Sequence, residues 1–329
     1  MPSKDQIVEQ SKNAYNQWAV QWRDHAKTHS KYKQLPLWEL ENTGIGKACL
    51  VVANGFSFEE NIETIKKYQN NVDIFCCDKT LGHLLDNGIT PKYCMVCDAN
   101  VNYEAYLEKW KDKLSEVTLL MNVCANPEWT EKGNWKKQYF FVNMDVMQYE
   151  KEFSSISGCN NLIPAGTNVS NAMVVMLTQS DNSGRKNYFG YDKLLLIGFD
   201  YSWTYEGKYY AFDKDGGGKA NYMKHGYLVN HAGEYCNSSG NLMFSAQWLA
   251  KYVNNFKLPV VQCSKKTIAG VVKFGELEEQ MQYRFKTENQ TLVKSVIERK
   301  NKLSQELFQV DKVLKKVAME HYYSFVGSI

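Results

Sequence analysis

Four polar turns in this sequence each close an apolar run, and their residue types suit gripping a phosphate or moving a proton. They are Asn54-Gly55-Phe56-Ser57, Asp78-Lys79-Thr80, Asp98-Ala99-Asn100 and Gly198-Phe199-Asp200-Tyr201-Ser202. Glycine lets a backbone approach a ligand closely, and the free N–H groups at a helix start hold anions. Each turn also has a plain structural reading. Ser57 followed by Glu60 fits a capping box, and an Asp after a strand commonly caps the next helix. A fifth segment, Pro164-Ala165-Gly166-Thr167-Asn168-Val169-Ser170-Asn171, places small and hydroxyl residues before the apolar stretch AMVVMLTQ. Its spacing is not that of a P-loop.

Two histidines, His225 and His231, lie in KHGYLVNHAGEY after the Asp200 turn. Either could serve as a general base near neutral pH, and His231 is the better placed. His25, His29 and His321 fall in helical segments, where packing or surface roles are expected. The Asp213-Lys214-Asp215 pair resembles a cation site for a nucleotide-sugar, but in a glycine-rich loop it reads as solvated surface. Cys94 and Cys97 form a C-x-x-C inside an apolar run; residues three apart on a strand face opposite ways and cannot share one zinc. No particular metal site is assigned, a divalent metal is an open but unfavoured option, and no cofactor is expected to be tightly bound.

These turns need a scaffold that brings them to one edge. Apolar runs at 48–54, 72–78, 92–98, 117–123, 138–144, 193–200 and 258–264 are continuous, the pattern of strands covered on both faces. Helical segments are expected at about 58–69, 79–87, 103–114, 168–180 and 242–256. Alternating strands and helices predict an α/β, Rossmann-like, doubly wound and mostly parallel sheet. Such sheets bind ligands outside the carboxyl ends of their strands. The organisation expected is an N-terminal helical segment over 1–45, a nucleotide-binding domain over 46–275 with a lid at about 201–240, and a C-terminal helical region over 276–329. Ala14, Trp18, Trp22 and His25 recur at helical spacing in the first of these. Leu303, Leu307, Val310, Leu314 and Val317 keep heptad spacing in the last, fitting either a helix packed on its own domain or self-association.

Composition narrows the partners. The 329 residues carry a net charge of +3, which gives no electrostatic case for nucleic acid as the main partner. No run approaches the length needed to span a bilayer, and the N-terminus lacks the apolar core of a signal peptide. Nine scattered cysteines fit a reducing compartment, so a cytoplasmic protein is expected.

The order of these motifs resembles known transferases. VVANGFSFEEN resembles the opening Asn-Gly-Pro-Ser motif of bacterial sialyltransferases and the Gly-Pro-Ser-Leu motif of the motility-associated-factor (Maf) flagellin glycosyltransferases. LLDNGITPKYCMVCDAN is similar to a pattern shared by Maf proteins and pterin-pyrophosphokinase-like (MptE-like) domains. PAGTNVSNAMVVML, YDKLLLIGFDYSWTYEGKYYAF and VVQCSKKTIAGVVKFGELEE resemble the segments that follow. The resemblance covers about residues 48 to 280. It implies a glycosyltransferase using a nucleotide-activated sugar, plausibly a CMP-linked nonulosonic acid, on an unknown acceptor hydroxyl. By the resemblance, Asn54, Gly55, Ser57 and Asp78 would contact the nucleotide. Gly166, Thr167 and Asn168 would form a second wall, Asp200 would border the donor sugar, and His231, with His225 in reserve, would be the base. Phe56 replaces the motif's proline, the second loop departs from the usual Gly-Gly-Ser or Thr-Ser-Gly, and the large flanking regions of Maf proteins are missing, so flagellin as acceptor does not carry over. Two alternatives stand beside this: a pyrophosphokinase of the hydroxymethylpterin type, with Mg²⁺ on carboxylates such as Asp98, and a non-catalytic nucleotide-binding or assembly protein.

Overall fold

A computed structural model describes residues 4–143, 147–163, 166–178, 189–208, 210–212, 228–270 and 272–282, together with Arg299, Lys302, Leu303, Glu306 and Val310. The chain divides into two compact units, Met1–Arg284 and Phe285–Ile329. In the second, the five described residues are helical, while Leu307, Leu314 and Val317 of the heptad lie outside the described residues.

The first unit is built on a seven-stranded sheet. In chain order its strands are β1 (Ala48–Val52), β2 (Asp73–Cys77), β3 (Tyr93–Val96), β4 (Thr118–Asn122), β5 (Lys137–Phe141), β6 (Lys193–Ile197) and, after three short strands named below, β10 (Val260–Gln262). All neighbours are parallel, in the order β10-β6-β1-β2-β3-β4-β5. The chain steps outward from β1 to β5, then returns to the other side of β1 with β6. That reversal makes β1/β6 the switch point, where doubly wound sheets bind ligands. Nearly every residue of these strands is buried, because helices cover both faces.

The helices are α1 (Lys4–His29), α2 (Phe56–Glu60), α3 (Ile62–Tyr68), α4 (Asp78–Asp86), α5 (Tyr103–Leu107), α6 (Glu128–Lys132), α7 (Met147–Ser157), α8 (Val169–Thr178), α9 (Gly240–Phe256) and α10 (Leu277–Gln282). Three differ from expectation: the segment at 103–114 turns from α-helix to a 3₁₀-helix over Glu108–Glu116, and α6 and α7 were not anticipated. Helix α8 is apolar almost all round, and Asn171 through Thr178 are buried where it packs on β1, β2 and β3. The polar excursion after Asp200 forms a three-stranded antiparallel sheet of β7 (Trp203–Thr204), β9 (Tyr235–Asn237) and β8 (Leu228–Val229).

Helix α1 packs against α7 and is tied to the end of β4. The His25 and His29 rings bond the carbonyls of Cys124 (3.0 Å) and Val123 (2.8 Å). Burial pushes the His29 pKa down to about 4, so this joint is held by a neutral imidazole. Among the described residues, no helix is long and apolar enough to cross a membrane.

Candidate active site at the carboxyl edge of the sheet

The turns after β1 and β6 lock onto each other. Asp200 is fully buried and accepts from Ser57 twice, from its amide (2.8 Å) and from its hydroxyl (2.5 Å). The Gly198 amide in turn donates to the Ser57 hydroxyl oxygen (3.1 Å). A Cβ on Gly55 would stand 2.4 Å from Asp200 Oδ2, and one on Gly198 would stand 2.0 Å from the Ala53 carbonyl. Glycine at both positions is what lets the two turns meet. Burial pushes the Asp200 pKa up to about 6, against the pull of the two Ser57 bonds.

The start of α2 therefore does hold an anion, but the anion is the protein's own carboxylate. Ser57 is fully buried, and neither it nor Asp200 faces open space. The capping box does not form either. Gly55 occupies the cap position, and Glu60 instead pairs with Lys266 (2.7 Å). Sequence spacing could not separate a serine that caps its own helix from one that clasps a neighbouring strand end.

Beside this lock lies a chamber of about 350 Å³. Asn54 and Gly55 line it from β1, Asp78 and Lys79 from β2, Asp98 from β3, and Asn168 and Ser170 from the start of α8. Asn54 lines the chamber, and its side-chain oxygen is buried with no hydrogen-bond partner among the described residues. Asp78 is 3% exposed and accepts from the Lys79 amide (2.7 Å). Burial pushes its pKa up to about 6; its own amide bond and Lys79 oppose this, and Asp98 adds to it. The Lys79 ammonium sits 5.1 Å above the Tyr210 ring. Burial favours its neutral form, but Tyr210, Tyr106, Asp78 and Asp98 outweigh that and raise its pKa. Tyr210 is held over the chamber because the returning chain bridges Gly55 and because Glu59 accepts from Lys208 (2.5 Å) and the Phe212 amide (2.6 Å).

The second wall is organised by a residue that motif reading passed over. Asn171 lies inside α8, where its side chain donates to the Thr167 hydroxyl (2.8 Å) and the Ser245 carbonyl (3.0 Å) and accepts from Tyr201 (2.5 Å). Its amide donates to Asn168 Oδ1 (2.9 Å), so Asn168 is the true cap of α8. Thr167 (φ 50°) and Tyr201 (φ 56°) are both held in the left-handed region, a strain that persists where surroundings over-determine it. An asparagine amid VSNAMVVML was the available signal.

A second chamber of about 490 Å³ adjoins the first. It shares Cys97, Asp98, Asn168 and Val169 with it. Gly166 and Thr167 line this side, with Asn100, Asn122 and Asn143 at the ends of β3, β4 and β5. Trp18 and Trp22 of α1 and Tyr149 of α7 complete it. The structure thus brings Asn54, Gly55, Asp78, Asp98, Gly166, Thr167 and Asn168 to one trough along the carboxyl edge. It places His231 elsewhere, exposed on the turn between β8 and β9, with Nε2 on the Ala269 carbonyl (2.7 Å) and its ring against Phe274. His225, Asp213 and Asp215 lie outside the described residues. Among the described residues no three His, Cys, Asp or Glu side chains gather as a metal site.

Fold and edge together define a doubly wound α/β protein with a divided trough across its strand ends. The chain belongs to the 6-hydroxymethylpterin diphosphokinase MptE-like family, whose model matches residues 23–206. No curated protein sequence matches it. Among solved structures it resembles a Maf glycosyltransferase from Magnetospirillum magneticum AMB-1, with a TM-score of 0.59 and 15% identity over 86% of this chain. The match covers 42% of that protein, so this chain spans less than half its length. At that identity the likeness speaks for the fold.

Proposed function

We propose that this protein is a glycosyltransferase that binds a nucleotide-activated sugar, a CMP-linked nonulosonic acid as the favoured donor. The observation that carries the reading is that two chambers of different chemistry meet at one carboxylate, Asp98. The smaller chamber offers Lys79 and the start of α8, with Asn54 on its wall. Lys79 is the one cation among its described lining residues, beside the carboxylates of Asp78 and Asp98, and it would meet the phosphodiester. The larger chamber then receives the acceptor. Asp98, not His231, stands where donor and acceptor would meet. As the acceptor oxygen bonds to the anomeric carbon, its proton passes to the Asp98 carboxylate. The bond from that carbon to the phosphate oxygen breaks, and its electron pair leaves with CMP, stabilised by Lys79 and backbone N–H groups. The fold shared with a Maf glycosyltransferase supports this reading. Nine free thiols support a reducing, cytoplasmic setting.

A second reading is favoured by the family match: an ATP- and Mg²⁺-dependent diphosphokinase, with Asp78 and Asp98 as the carboxylates facing the metal. Thermal melting with CMP, UDP, ADP and ATP, each with and without Mg²⁺, separates the two. A ligand at a hundredfold excess over its Kd adds about 2.7 kcal/mol to stability. Stabilisation by CMP without metal, and release of CMP from CMP-sialic acid, are expected. Stabilisation by ATP alone, and only with Mg²⁺, moves the assignment to the diphosphokinase. No response to any nucleotide rejects both.

A further inference from the structure

Resting on the transferase reading, we infer that the larger chamber is an acceptor subsite for an uncharged saccharide and that the N-terminal helix builds its stacking platform. Trp18 and Trp22 of α1 present indole surface to the chamber, and Tyr149 faces them from α7. Tyr149 is fixed from behind. It stacks on Tyr15 with ring centroids 3.8 Å apart, and Tyr15 and Arg23 both bond Glu152 (2.6 and 2.5 Å). Amphipathic sugar rings lay their C–H faces on such aromatic surfaces while their hydroxyls reach sideways for polar groups.

The polar groups are in place. Asn100, Asn122, Asn143 and Asn168 enter from four different elements around the rim. Neutral amides both donate and accept, which suits hydroxyls, themselves donors and acceptors. Asn122 is the most telling. It is only 5% exposed and its oxygen accepts from the Cys124 amide (2.9 Å), while its NH₂ has no partner among the described residues. With its oxygen engaged, the NH₂ of this cavity-lining amide is the group left to donate to a hydroxyl. No lysine, arginine or histidine is among the described residues that line the chamber, and Asp98 is the one charged residue among them. That balance disfavours phosphorylated or acidic ligands. A flat heterocycle carries its polar atoms in one plane, whereas these amides surround the space and match a puckered ring with substituents on all sides. At about 490 Å³ the chamber has room for more than one sugar ring.

The test uses the full chain and saturation-transfer NMR with lactose, maltose and N,N′-diacetylchitobiose, with glucuronate and 6-hydroxymethylpterin as comparators. At least one neutral disaccharide is expected to bind without nucleotide. Trp18→Ala, at a side chain already 38% exposed, should weaken it about tenfold with unchanged melting. Asn122→Asp, which keeps the acceptor for Cys124, should weaken it likewise. The inference is overturned if no neutral disaccharide binds, if binding is indifferent to both substitutions, or if 6-hydroxymethylpterin takes the site with the same sensitivities. Melting with CMP is read separately. CMP binding without sugar binding removes the subsite and leaves the donor reading; sugar binding without CMP binding does the reverse.

Discussion

The two chambers share a wall and almost nothing else. The smaller is made mostly by short turns within a few residues of their strands, closed by the start of α8 and Tyr210, and it concentrates charge: Asp78, Lys79 and Asp98. The larger is made by side chains far apart in the sequence, from Ala14 to Ala172, and it is aromatic and amide-rich. In a doubly wound sheet the strand ends dictate the first kind of site, whereas the second depends on which peripheral helix folds over them. The difference teaches where generic and particular chemistry reside in this fold. On the transferase reading proposed above, one chamber would hold the activated phosphate and the other would select the acceptor.

Substitutions can break that division or sharpen it. The largest effect is expected at the shared carboxylate: Asp98→Asn should lower turnover by about 10²–10⁴ with nucleotide and saccharide binding retained. Unaltered turnover in a steady-state assay would return the base to another group. Next is the lock behind the smaller chamber. Asp200→Ala leaves the Ser57 amide and hydroxyl buried without their acceptor and should cost about 2–3 kcal/mol in urea unfolding. Asp200→Asn, which keeps an acceptor, should cost less. Lys79→Met should weaken CMP about tenfold by calorimetry and leave saccharide affinity unchanged; a parallel loss of both would mean the chambers do not act separately.

A smaller effect is expected from pH. Burial raises Asp78 and Asp200 from 3.8 to about 6, so between those values the folded chain binds more protons than the unfolded one. Their contribution to stability is therefore greatest in acid and declines as pH rises from about 4 to about 6, then levels off. Melting curves of the protein and of Asp78→Asn should converge on the acid side and separate toward neutrality, with the variant the more stable there. Least is expected of His231→Ala, which should change turnover by less than about twofold, since that ring meets a backbone carbonyl outside both chambers.

Much of the scaffold was legible. The seven apolar runs all became sheet strands, because burial on both faces leaves a continuous run such as KLLLI with no competing pattern. The gathering of Asn54, Asp78 and Asp98 followed from parallel strands sharing one carboxyl edge. What stayed hidden was direction. Asp78 and Asp200 both follow strands and read alike, yet one faces the chamber and the other turns inward to Ser57. Asn171 looked like one more polar residue near a loop, although it joins the 166–168 turn, Tyr201 and α9. The Trp18–Trp22 stripe fixed a helix face by its spacing, but periodicity carries no address for the surface that face will meet.

The stretch that matches the family starts at residue 23, whereas Ala14, Trp18 and Trp22 precede it. The indole platform thus lies outside the matched stretch, although the same helix continues into it as far as His29. On the transferase reading proposed above, replacing Trp18 and Trp22 together would change which acceptor is taken and leave nucleotide binding as it is.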